Sequence, residues 1–150
     1  MDQQALAAAS EASAGAFIDA LWLEEGLSRN TLDAYRRDLT LFGHWLATQG
    51  TVLQDASEAH INGYFAERHA QTRATTANRR LTVFKRFFRW ALRERLITAD
   101  PTLRLSPARQ ALRVPKTLSE AQVESLLNAP DPTTPLGQRD RAMLELMYAS

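Results

Sequence analysis

Apolar residues recur at intervals of three and four along most of this chain, which is the spacing of one face of an α-helix. The clearest stripe lies in residues 29–49. Its members are Leu32, Tyr35, Leu39, Phe42 and Leu46. Ser28 stands directly before this segment, where its hydroxyl can cap the first turn, and Gly50 follows it. The pattern therefore predicts an amphipathic helix over residues 29–49.

Three further helices are predicted before residue 100. One covers about 11–25, one extends from the N-cap Ser57 to about residue 70, and one covers about 76–96. In the last of these, the predicted core stripe consists of Ala77, Leu81, Phe84, Phe88 and Leu92. No stretch alternates with period two for long enough to predict a strand. The fold class is thus all-α, with a bundle of four or five helices in residues 1–99.

A proline-rich basic segment follows this predicted bundle. Residues 100–116 contain three prolines with three arginines and one lysine interspersed, so they are predicted to be an extended linker instead of a helix. After it, Ser119 with Gln122 three residues later has the pattern of a capping box. Helical patterns then continue, with breaks at prolines, through residues 117–150.

Composition narrows the possible chemistry. The chain has no cysteine, which excludes disulfides and thiolate metal sites. Its three histidines lack metal-ligand spacing, and no catalytic cluster or glycine-rich phosphate loop is present, so we expect no metal or cofactor. No apolar run approaches the length of a membrane span, and no secretory leader is recognisable. A cytoplasmic protein without a membrane partner is expected.

Charge is distributed unevenly, although the formal net charge is only +1. Residues 1–27 contain five acidic residues and no basic one. Residues 75–116 contain eleven basic residues against two acidic ones. Such segregation indicates a surface for a polyanion or for an acidic protein partner.

The basic residues of the fourth predicted helix form one ridge. At about 100° per residue they fall opposite the apolar stripe, and residues 79–91 include no acid. A row of guanidinium groups can contact phosphates or guanine acceptors in the major groove. The residues predicted to contact DNA on this helix are Thr75, Thr76, Asn78, Arg79, Thr82, Lys85, Arg86, Arg89 and Arg93.

The polar face of residues 29–49 is a weaker candidate, because Asp33 and Asp38 dilute its positive charge. The residues predicted to contact DNA there are Arg29, Asn30, Thr31, Arg36, Arg37 and Thr40. The alternatives are a solvated face or a protein-interaction module whose basic helix docks on an acidic groove. A membrane surface is less favoured, because the aromatic residues belong to the strip that builds the core.

Four blocks of the sequence resemble the N-terminal half of a tyrosine recombinase of the phage-integrase family. They are GLSRNTLDAYRRDLTLFGHWL (26–46), NRRLTVFKRFFRWALRERLITADPT (78–102), VPKTLSEAQVESLLNAP (114–130) and PLGQRDRAMLELMYAS (135–150). The resemblance implies a SAM-like core-binding domain at 1–99, a linker at 100–116 and the start of a catalytic domain at 117–150. Its DNA-facing helices correspond to residues 28–45 and 75–95.

The resemblance also implies a reaction in the parent enzyme. A tyrosine would attack the scissile phosphate to form a 3′-phosphotyrosyl intermediate, without ATP or metal. The family's catalytic arginines, lysine, histidines and tyrosine are all expected after Ser150. We therefore expect a fragment that binds duplex DNA, with no catalytic residue of its own, and cuts nothing.

Within this family, the chain is most similar to recombinases that resolve chromosome dimers at cell division. That likeness implies a second recombinase and a septal DNA translocase as partners, and a location at the nucleoid. The alternatives within the family are the partner recombinase itself and a phage or integron integrase.

Overall fold

The computed structural model describes residues 2–108 and 117–150, and these contain α-helices, short 3-10 turns and irregular segments but no strand. The all-α prediction is confirmed. The chain divides into two compact units, Met1–Gln110 and Ala111–Ser150. Residues 109–116, which belong to the predicted linker, lie outside the described residues.

The first unit contains four α-helices and two 3-10 turns within its described residues. The helices are α1 (Gln3–Glu25), α2 (Arg29–Thr48), α3 (Glu58–Arg68) and α4 (Ala74–Arg93). The 3-10 turns are Leu53–Asp55 and His69–Gln71. The second unit contains α5 (Glu120–Asn128) and α6 (Pro135–Ala149). None of the helices among the described residues is long and apolar enough to span a membrane.

Two helices of the first unit begin at the serine N-caps that the sequence predicts. Ser28 accepts a hydrogen bond from the backbone N–H of Thr31 at 3.4 Å, and Ser57 caps α3 in the same manner. Gly26 adopts the left-handed conformation, at a φ of 60°, and closes α1. The prediction was wrong at the other end of α1, which begins at Gln3 and not near residue 11. The alanine-rich first turns supply high helix propensity there.

The core of the first unit lies between α1, α2 and α4. It is built mainly from stacked and edge-on aromatic rings, with Phe17, Phe42 and Phe84 fully buried. On α4, the predicted stripe is only partly right. Leu92 is 41% exposed, whereas Phe87, which is not part of the predicted stripe, is fully buried. The buried face of α4 is therefore rotated towards α1, where Phe87 meets Phe17 edge to face.

The chain after α4 folds back over the first unit. Arg95 is left-handed, with a φ of 59°, and the N–H of Leu96 bonds to the carbonyl of Ala91, which ends the helix sharply. Thr102 is buried and donates both its N–H and its hydroxyl to Asp100. Leu105 packs against the core. The described residues of the segment, 100–108, are thus irregular and are anchored to the bundle.

In the second unit, the capping box at the start of α5 is confirmed. Ser119 accepts from the N–H of Gln122, whose side chain accepts from the N–H of Ser119. Thr134 caps α6, and Pro135 occupies the first helical position. Six large apolar side chains of these two helices are exposed: Leu126, Leu136, Met143, Leu146, Met147 and Tyr148. Two helices alone are too small to enclose a hydrophobic core.

Candidate nucleic-acid interface

Asp38 joins the two helices that carry the predicted DNA-contacting residues. Its side chain is 1% exposed and accepts hydrogen bonds from Arg79 Nη2 at 3.0 Å and Arg80 Nε at 3.4 Å. Asp38 is therefore buried where α2 contacts α4, and its carboxylate is the counter-ion of both arginines. Asp38 was predicted to dilute the charge of the α2 face, but it is buried away from that face.

Two arginines in the C-terminal half of the α4 ridge are neutralised by the end of α1. Arg86 Nη2 donates to both carboxylate oxygens of Glu25 at 2.5 Å, and Arg86 Nη1 donates to the hydroxyl of Tyr35 at 3.4 Å. Arg93 is held by Glu24 through two hydrogen bonds of 2.8 and 2.6 Å, and its Nε donates to Glu94 at 3.0 Å. Hydrogen bonding to Glu25 raises the pKa of Arg86, and hydrogen bonding to Glu24 raises the pKa of Arg93.

Two other residues of the predicted ridge hold the segment that follows α4. The amide of Asn78 makes paired hydrogen bonds with the backbone of Ala108, at 2.9 Å to its carbonyl and 2.8 Å from its N–H. Lys85 Nζ donates to the carbonyl of Leu105 at 2.7 Å. Both side chains are half-buried, so in this structure they serve the fold of residues 105–108.

The arginines of α2 are more available than those of α4. Among the described residues, no carboxylate forms an ion pair with Arg29, Arg36 or Arg37, and all three are exposed. On α4 the same holds for Arg89. The face that the sequence ranked second therefore carries three of the four arginines on these two helices that form no ion pair among the described residues.

The remaining predicted residues differ in exposure. Asn30, Thr75, Thr82 and Arg93 are exposed, whereas Thr31, Thr40 and Thr76 are half-buried. The hydroxyl of Thr31 lies 2.9 Å from that of Ser28, and the hydroxyl of Thr82 donates to the carbonyl of Asn78. Their role in DNA binding stays a prediction.

Sequence reasoning missed the intramolecular counter-ions of the ridge. No acid occurs within residues 79–91, but Glu24, Glu25 and Asp38 reach it from other helices. The available signal was the acidic bias of residues 1–27, which was interpreted as half of a charge asymmetry and not as the partner of the basic half.

These features define a small all-helical domain with a basic face, and the sequence comparisons identify its class. Residues 15–95, more than half of the chain, match the family described as "Phage integrase, N-terminal SAM-like domain", and the chain belongs to that family. The SAM-like resemblance noted in the sequence is thereby confirmed.

The chain is also similar to several tyrosine recombinases. The chain is 66% identical over 134 residues to the tyrosine recombinase XerD of Ralstonia nicotianae, covering 89% of this chain and 44% of that protein. It is 48% identical to XerD of Pseudomonas putida and 44% identical to XerD of Yersinia pestis, covering 89% of this chain and 45% of each relative. The chain therefore spans less than half the length of the curated relatives it matches.

Proposed function

We propose that this chain is the DNA-binding N-terminal part of a site-specific tyrosine recombinase of the XerD type. The observation that carries this proposal is the set of exposed arginines on α2 and α4 that form no ion pair among the described residues, in a domain of the phage-integrase family. Arginine forks on helices contact phosphates and guanine edges. Phosphate contacts by Arg29, Arg36, Arg37 and Arg89 would fix the register of the domain on the duplex.

The whole enzyme would break and rejoin DNA through a 3′-phosphotyrosyl link, with residues 1–99 as the core-binding domain, 100–116 as the linker and 117–150 as the start of the catalytic domain. We assign no catalytic residue to the present chain. Its biological role would be chromosome-dimer resolution and segregation at cell division. The partners would be a XerC-type recombinase and a septal DNA translocase of the FtsK type, in the cytoplasm at the nucleoid.

Two other kinds of recombinase within the family remain as alternatives. They are a XerC-like recombinase and a phage or integron integrase. The 66% identity to a XerD protein favours the first proposal over both. Binding to a chromosomal dimer-resolution site, compared with a phage attachment site and an integron site of equal length, would discriminate among them.

A protein-interaction module is the second candidate from another class. The pairing of Arg86 with Glu25 and of Arg93 with Glu24 favours it, because it demonstrates that this face accepts carboxylates. An acidic groove on a partner protein would present carboxylates to the same arginines. The two candidates differ in whether the chain binds protein-free duplex DNA.

The test is fluorescence anisotropy with a labelled mixed-sequence duplex at low salt. We expect Arg36→Ala and Arg89→Ala each to weaken binding by roughly threefold or more, as each removes a phosphate contact. The matched control is Arg139→Ala on α6, whose side chain is exposed and paired with Asp140 outside the proposed face. No binding by the unmodified chain, or equal losses in all three variants, would overturn the assignment.

A further inference from the structure

The last turn of α1 carries charges of the unfavourable sign. Glu24 and Glu25 are its final acidic residues, and no basic residue accompanies them in that turn. The C-terminus of a helix bears partial negative charge, so carboxylates there cost stability unless a cation compensates them. Local violations of such rules are typical of functional sites. Here the compensating cations come from the proposed DNA-contacting helix.

Both glutamates bind arginine as a phosphate would. Glu24 accepts from both Nη atoms of Arg93, at 2.8 and 2.6 Å, and Glu25 binds Nη2 of Arg86 at 2.5 Å. Carboxylates and phosphates compete for the same guanidinium fork. The side chains of Glu24 and Glu25 are 47% and 44% exposed, so water and solutes reach the pairs.

The two pairs line one surface cleft. It has a volume of about 400 Å³, lies between the end of α1 and α4, and also includes Arg89. Arg89 forms no ion pair with any other described residue. The cleft thus offers one available guanidinium beside two that are already occupied by carboxylates.

We infer that Glu24 and Glu25 are built-in competitors of DNA phosphate for Arg93 and Arg86, an inference that rests on the proposed function. Arg89 contacts a phosphate first. The duplex gains Arg86 and Arg93 only when its phosphates displace the two carboxylates. The α1 glutamates therefore hold the affinity of this end of α4 below its maximum and make full contact conditional on close approach of the duplex.

The experiment compares duplex affinity and its salt dependence for four proteins: the unmodified chain, Glu24→Gln, Glu25→Gln and the double variant. Asp19→Asn is the matched control, because Asp19 is exposed on the same helix and belongs to no ion pair among the described residues. It removes one negative charge without releasing an arginine. Thermal unfolding verifies that each variant is folded. If the double variant does not fold, the two single variants are compared with the control instead.

We expect the double variant to bind DNA roughly two- to thirtyfold more tightly than the unmodified chain. The factor is modest because each exposed ion pair that is removed contributes little free energy. Its plot of log affinity against log salt should be steeper by about two, one for each added phosphate contact. Asp19→Asn should leave the slope unchanged. Tighter binding confined to the glutamine variants supports the inference.

Two results would overturn it. If the unmodified chain binds DNA and the glutamine variants match Asp19→Asn, the glutamates do not compete. If they bind more weakly, the glutamates position the arginines for DNA and do not oppose it. Absence of binding by every protein, including the double variant, would instead overturn the proposed function on which the inference rests.

Discussion

Ser10 and Gly43 meet where α1 crosses α2, so closely that a Cβ atom on Gly43 would lie 2.7 Å from the Cβ of Ser10. Ser10 is buried, and its hydroxyl accepts a hydrogen bond from the N–H of Leu53 at 3.1 Å. One small contact therefore sets the separation of two helices and fixes the turn that follows α2. The close approach also fixes the position of α2, which carries three of the arginines proposed to contact DNA.

Gly43→Ala should destabilise the chain. The added methyl group has no room, and overpacking of a buried contact costs about 1–3 kcal/mol. Alanine gains about 1 kcal/mol of helix propensity over glycine, which offsets part of that cost. We expect a net loss of about 1 kcal/mol in the free energy of unfolding, measured by urea denaturation.

The control for this substitution is Gly15→Ala on α1. A Cβ atom there would make only an ordinary contact, 3.8 Å from Arg36 Nη1. The same chemical change should therefore raise the free energy of unfolding by about 0.5–1 kcal/mol. Stabilisation by both substitutions would contradict the close packing of α1 against α2.

Arg95→Gly should stabilise the first unit. Arg95 has a φ of 59°, a conformation that costs an L-residue about 1–2 kcal/mol. Glycine removes that cost, although its freedom in the unfolded chain offsets about 0.5–1 kcal/mol. The expected net gain is about 0.5–1 kcal/mol, again by urea denaturation. Arg95→Ala removes the same charge but keeps the Cβ atom, so an equal gain in that variant would attribute the effect to charge and not to backbone conformation.

Asp38→Asn should destabilise the contact between α2 and α4. The substitution keeps the shape of a side chain that is 1% exposed and removes the charge that Arg79 and Arg80 both bind. Hydrogen bonds between charged groups contribute about 1.5–3 kcal/mol, and the half-exposed Arg79 lowers the expected cost to about 1–2 kcal/mol. Thermal or urea unfolding measures it.

Asp33→Asn provides the comparison for Asp38. It removes one exposed negative charge from the same helix and no ion pair among the described residues. Its free energy of unfolding should stay within about 0.5 kcal/mol of the unmodified chain. Equal effects at the two positions would mean that Asp38 contributes only its charge and does not join the helices.

Much of the fold could be predicted because local signals and helical periodicity agree. Ser28, Ser57 and Ser119 cap the helices that follow them, as their side chains and positions indicate. The start of α1 was missed because its alanine-rich turns lack apolar periodicity, although propensity and later packing make them helical. The burial of Phe87 in place of Leu92 depends on how α4 is rotated against α1, which the pattern of one helix does not determine.

The candidate site was predicted less completely, because the residues that pair with its arginines are far from them in the sequence. A helical wheel identifies the basic side chains of α4, but it contains no information on which acids other helices bring to them. Arg93 and Glu24 are 69 residues apart, and Arg79 and Asp38 are 41 apart. The same limit applies to Asn78 and Ala108, which are 30 residues apart and joined by hydrogen bonds.

The central claim is that the face formed by α2 and α4 binds duplex DNA through phosphate contacts. Its most direct test is the affinity of the chain for a mixed-sequence duplex, measured by anisotropy across a series of salt concentrations. With roughly five phosphate contacts, log affinity should fall with log salt at a slope of about −4 to −5. A slope near zero would contradict the claim, because binding would then owe nothing to the arginines of this face.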